Sequence, residues 1–122
     1  SALVTVRVGK EPESKDFVAH ESILTSRSEF FRRALNGNWE EAHAHIVHLP
    51  EDEPDIFGIY LNYVYTGRLH TMSVDSEELA TLDHNKFRTT VNEEYNNLFC
   101  LYILAEKLQD TPTKDATFTA LL

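Results

Sequence analysis

The sequence predicts an α+β domain in which five or six helices accompany a small sheet of three or four short strands. Three observations predict it. Val4-Thr5-Val6-Arg7-Val8 alternates apolar and polar residues, the period of a half-buried strand. From Asp16 to Gly67, short strand signals and short helix signals alternate, each closed by its own punctuation. Leu98 to Ala105 is an apolar run of eight residues inside a longer helical pattern, as expected of a helix buried on most sides. At 122 residues the chain is read as one domain, 1–122, large enough for a core of its own.

Taken in order, the first strand stops at Gly9, and Lys10 to Lys15, with its charges, Pro12 and Ser14, reads as a turn. Asp16-Phe17-Val18-Ala19 then completes a hairpin. His20 to Ser26 is a brief helix with Ile23 and Leu24 inward. Ser28 caps a second helix, Glu29 to Leu35, because its hydroxyl can satisfy a free backbone N–H while Glu29 faces the positive helix end. Phe30, Phe31, Ala34 and Leu35 form the apolar side of that helix, and Asn36-Gly37 supplies a left-handed stop.

Ile46 to Leu49 is a third strand ended by Pro50. Glu51 to Asp55 opens the next helix, with acids and Pro54 in its first turn. Phe57, Tyr60, Leu61, Val64 and Tyr65 give that helix a wide apolar face, and Thr66-Gly67 ends it. Arg68-Leu69-His70 reads as a fourth short strand. Residues 71–91 are polar with little apolar periodicity and read as a long loop, functional or mobile, with one or two helical turns at Ser76 to Leu82. Asn92 caps a helix running to about Leu108, and Thr111-Pro112 starts a last one through Leu122.

Eleven Lys+Arg against twenty Asp+Glu leave a formal net charge of -9. Affinity for nucleic acid rests on cationic neutralisation of phosphates, so direct nucleic-acid binding is not expected, nor is an anionic membrane surface. No apolar run approaches the ~20 residues of a membrane span. The single cysteine, Cys100, excludes an internal disulfide and fits a reducing intracellular setting, cytoplasm or nucleus. There is no glycine-rich phosphate loop and no nucleophile–base motif, which favours a protein-binding module over an enzyme and implies no cofactor.

The order and spacing of several short motifs resemble a BTB/POZ domain over almost the whole chain. They are Phe17-Val18-Ala19-His20 with Ile23-Leu24, then Ser28-Glu29-Phe30-Phe31, then Val47-His48-Leu49-Pro50-Glu51-Asp52. Phe57, Tyr60-Leu61, Tyr65-Thr66-Gly67-Arg68-Leu69 and Ala105-Glu106-Lys107-Leu108 follow. The Leu49-to-Asp55 run and Asn38-Trp39-Glu40-Glu41 look most like BTB domains of filamentous fungi. The resemblance implies a BTB/POZ fold, a small mixed sheet flanked by helical hairpins. It implies a protein–protein interaction function: self-association or another protein partner, as an adaptor on a cullin ubiquitin-ligase scaffold or as the oligomerisation domain of a transcriptional regulator. In the family the helix after the third strand and the loop behind it face the partner, which makes Asp55, Ile59, Asn62, Arg68 and His70 the contact set. Ile59→Asp with Asn62→Arg is expected to weaken capture without unfolding the domain. Nothing before Val4 is available to swap between copies, so a monomer like elongin C or a homodimer without the N-terminal swap is expected. Cullin-binding members carry a hydrophobic–x–acid motif after the glycine; here the stretch reads Leu69-His70-Thr71, without the acid.

Other constellations have plainer readings. His43 and His45 would share a strand face and so could meet one metal ion, but neither a cysteine nor an acid completes a set with them and His48, and solvated residues leading into a strand are the better account. His20 reads as a structural histidine bonded to local backbone. Glu40-Glu41 and Glu51-Asp52-Glu53 sit at exposed turns and helix starts rather than around a cleft. Cys100 reads as a small buried hydrophobe.

Overall fold

The computed structural model describes residues 2–36, 45–71 and 74–122. Among these the predicted α+β architecture is present as three strands and six helices. β1 (Leu3–Val8) is central, flanked by β2 (Lys15–His20) and β3 (Ile46–Leu49). β1 and β2 are antiparallel, with Val4 opposite Ala19 and Val6 opposite Phe17. β1 and β3 run parallel, with Val6 beside Val47 and Val8 beside Leu49. The alternation seen in the sequence is therefore the alternation of the sheet. Val4, Val6, Val8, Val47 and Leu49 are fully buried, while Leu3, Val18 and His48 face outward.

Between β2 and β3 lie α1 (Glu21–Arg27) and α2 (Glu29–Leu35), joined at the buried Ser28. That residue ends one helix and starts the next. Its N–H donates to the Leu24 carbonyl, and its Oγ accepts from the Phe31 N–H at 3.1 Å. The hydroxyl proton goes to the Leu108 carbonyl at 2.6 Å, tying the α1–α2 hairpin to the end of a distant helix. α3 (Pro54–Thr66) follows β3, with Pro54 in its first turn and Gly67 as a left-handed cap at φ 74°. Phe57 sits at the centre of the core, edge-on to Phe17 at 5.1 Å and to Phe31 at 6.5 Å. α4 (Ser76–Thr81), α5 (His84–Leu108) and α6 (Thr111–Leu121) complete the domain. Gln109, left-handed at φ 53°, turns the chain from α5 into α6.

Four expectations are corrected. Arg68-Leu69-His70 forms no ladder with any described strand. The Arg68 N–H donates to Thr66 Oγ1 at 3.1 Å, and just past the segment Asn97 donates to the Thr71 carbonyl at 2.9 Å. Residues 71–91, read as a long loop with one or two helical turns at Ser76 to Leu82, hold that short helix as α4, but also the first turns of α5, which begins at His84 rather than Asn92. The cause is a pair of aspartate caps, Asp75 accepting from the Glu78 N–H and Asp83 from the Lys86 N–H. The apolar run of α5 is buried on one side only: Leu98, Leu101, Leu104 and Ala105 are inside, whereas Phe99 and Ile103 are 58% and 53% exposed. Asn36 follows α2 at φ -113°, outside the left-handed region. Gly37, the Asn38-Trp39-Glu40-Glu41 element and His43 lie outside the described residues.

Candidate interaction surfaces

α3 carries most of the expected contact set. Asp55, Ile59, Asn62 and Thr66 recur at helical spacing, so they share one stripe of the helix. Asp55 and Asn62 are exposed on it, and Arg68 and His70 are exposed on the segment after Gly67. Asp55 lies 3.9 Å from Lys15 across an exposed pair, an interaction worth little in water. Ile59 departs from expectation: it is half-buried and packed against the core. Ile59→Asp would therefore put a carboxylate into a partly desolvated site and damage the fold, so it is not a clean test of the surface. Thr71, in the place of the missing acid, is turned inward, 5% exposed, and donates to Glu94 on α5 at 3.3 Å.

Two contacts fix the angle of α3 against the rest. At its C-terminal end Tyr65 reaches the start of α1, where its hydroxyl accepts from the His20 N–H at 2.9 Å and lies 2.8 Å from the ring Nδ1. The His20 ring thus bonds a side chain of α3 rather than local backbone. Deeper in, Tyr60 donates to Asp110 Oδ2 at 2.9 Å. Asp110 is fully buried and also accepts from Arg27 Nε at 3.2 Å and from the Thr113 N–H at 3.0 Å, the latter capping α6. Arg27 completes the cluster with a bond to Thr113 Oγ1 and a guanidinium 5.7 Å from the Tyr63 ring centre. One carboxylate so joins α1, α3 and α6. Burial, with the Asp110 charge behind it, pushes the Tyr60 phenol far above its ordinary range. The sequence pattern gave no sign of this cluster; an acid directly before Thr-Pro, at the start of a helix, is the one visible clue, as an N-cap.

A second surface was missed altogether. Phe99 and Ile103 stand one turn apart on the outer side of α5, with Tyr95 a further turn before them. Beside Phe99 and Ile103 lies a groove of about 190 Å³ between α5 and the turn that opens α3. Its floor is Ile56, Cys100 and Leu104, and its rim is Glu51, Asp52 and Glu53. Asp52 is engaged by Lys107 and Glu51 by Lys10, while Glu53 has no ion pair among the described residues.

The chemical candidates do not converge. His45 sits in a left-handed turn at φ 55° ahead of β3, not on the strand, and His43 lies outside the described residues. Among the described residues no three His, Cys, Asp or Glu side chains come together as a metal site. No helix among them is long and apolar enough to cross a membrane. Cys100 is half-buried rather than buried, and burial with the nearby Glu53 charge raises its thiol pKa, the opposite of a reactive cysteine. Asp16 and Glu29 are held below the usual carboxylate range by hydrogen bonds from Arg7 and Arg32, both on the open surface. None of these shifted groups faces another across a cleft.

A family model described as BTB/POZ domain matches residues 4–98. The chain is 26% identical over 97 residues to human (Homo sapiens) Kelch repeat and BTB domain-containing protein 4, covering 80% of this chain and 17% of that protein. It is 34% identical over 65 residues to Kelch-like protein 21 of Rattus norvegicus, covering 53% of this chain and 11% of the relative. The chain therefore spans less than a fifth of the curated relatives it matches. Its fold is similar to that of the BTB domain of zebrafish PATZ1, with a TM-score of 0.59 at 17% identity over 97% of this chain and 73% of the other.

Proposed function

Because the chain belongs to the BTB/POZ domain family, and so is a protein–protein interaction module, we propose that it works by holding a protein partner on the exposed side of α3 and the segment that follows it. The observation that carries this reading is the pairing of a braced helix with a free face. Tyr65 and Tyr60 hold α3 from two sides, while Asp55, Asn62, Arg68 and His70 remain exposed. A rigid, polar, pre-formed face loses little entropy on docking. The occupant is a second copy or another intracellular protein, and the module performs no catalysis and needs no cofactor.

A second reading is favoured by the Kelch repeats named in the relatives: an adaptor that presents a neighbouring domain's cargo to a cullin scaffold. Thr71, turned inward where cullin-binding members carry an acid, weighs against it. Sedimentation equilibrium across micromolar concentrations and a cullin pull-down separate the two. Asn62→Arg with Arg68→Glu changes only exposed side chains and should abolish self-association or partner capture by α3 with the thermal midpoint unchanged. Undiminished binding by that double variant would remove α3 as the working face.

A further inference from the structure

We propose that the groove between the Glu51–Glu53 turn and α5 is a separate docking site for a partner segment that presents one large apolar side chain flanked by lysine or arginine. The proposal rests on the chain being an interaction module but not on the α3 face. A groove of about 190 Å³ is below the size of small-molecule and cofactor sites. It matches a single buried anchor of the kind that dominates protein interfaces. Phe99 and Ile103 form one lip, each more than half exposed, and Ile56 and Leu104 offer an apolar floor. The opposite lip is Glu51, Asp52 and Glu53, and the Glu53 carboxylate has no cation of its own among the described residues.

Charge selects the occupant. The chain carries a formal net charge of -9. A second copy seated on this face would set one acidic rim against another, and an anionic lipid surface would be repelled by the same rim. A basic, apolar-anchored segment is attracted by the rim and covers Phe99 and Ile103 from water. The surface straddles the end of the family-matched stretch, residues 4–98, so it is read from this chain's own residues.

The test is selection of short random peptides on the intact chain, with three variants in parallel. The expected consensus has a large apolar residue beside Lys or Arg. It should bind about tenfold or more weakly to Phe99→Ser with Ile103→Ser, bind unchanged to Asn62→Arg with Arg68→Glu, and shift to acidic flanks on Glu51→Lys with Glu53→Lys. Enrichment that survives Phe99→Ser with Ile103→Ser, or a consensus without basic flanks, overturns the proposal. So does a dimer that those two serines dissolve, since the occupant is then a second copy. Peptides captured only through Asn62 and Arg68 sink the groove and leave the interaction-module reading standing. No specific capture at either face, with no protein partner recovered, sinks both.

Discussion

Asp110→Ala is the sharpest single perturbation of this fold, because it removes three bonds from one fully buried carboxylate. The Thr113 N–H loses its cap, at about 1 kcal/mol. The Tyr60 hydroxyl, fully buried, is left without an acceptor, at about 1–3 kcal/mol. Arg27 loses its counter-ion, but its side chain is 27% exposed and water can reach it. Its share is therefore about 1 kcal/mol, well under the ~3–5 kcal/mol of a fully buried pair. These contributions overlap, and together they give a loss of about 3–4 kcal/mol, a large part of a domain's ~5–15 kcal/mol. Asp110→Asn keeps one oxygen to cap the Thr113 N–H in the Oδ1 position, while its NH2 takes the Oδ2 position, where the Tyr60 hydroxyl can turn to accept from it and Arg27 loses its acceptor, so its loss should be about 1–2 kcal/mol. Urea unfolding, with the slope unchanged between variants, measures both. An alanine variant within about 0.5 kcal/mol of wild type would refute the reasoning. An asparagine variant as damaged as the alanine one would place the whole effect in charge and refute the cap argument.

Two further outcomes follow from the same core. The Tyr60 phenol has its folded-state pKa raised from an ordinary 10.0, so its contribution to stability is complete below pH 10 and is lost as the pH climbs toward the folded value, because only the unfolded chain can release the proton; Tyr60→Phe should flatten the alkaline limb of a stability–pH profile, and an unaltered limb would count against the buried phenol. Ser28→Ala removes a cap and a bond to the Leu108 carbonyl together and should cost about 1–2 kcal/mol in urea, more than an exposed cap would, while a neutral result would mean that water replaces both.

Much of this fold was legible because its signals are local. Ser28 before Glu29, Pro54 after β3 and Gly67 after Thr66 each act through backbone groups a few residues away, and each stands where local chemistry puts it. The third strand was read to its end residues, Ile46 and Leu49, because a short apolar run closed by proline leaves few alternatives. The failures are non-local or come from weak periodicity. The helical turns expected at Ser76 to Leu82 are present, but Asp83 caps α5 in a stretch whose apolar residues are too sparse to announce a helix ahead of Asn92. Ile59 lies off the Phe57–Tyr65 stripe, where an exposed residue is expected, yet a helix packed on both sheet and neighbours buries more than one stripe. The apolar run Leu98 to Ala105 reads as buried on most sides, but an all-round apolar helix does not encode which side has nothing packed on it, and here that side carries Phe99 and Ile103. Asp110 joins residues on three helices far apart in the chain, and no short-range pattern encodes that meeting.

β1 acquires its two neighbours at different times. β2 follows after a single turn, and a hairpin of that kind closes in about 1–10 μs. β3 lies beyond both α1 and α2, and its parallel pairing waits until that whole crossover is made. On the ribosome, at about 5–20 residues per second, the interval is seconds rather than microseconds. Throughout it the far edge of β1 presents unpaired N–H and C=O groups beside Val4, Val6 and Val8, a template for whichever extended chain arrives first. The nascent hairpin is thus a stage at which a strand edge that the folded protein covers stands open. A variant with a native denaturation midpoint can still be lost there if it delays the closing strand.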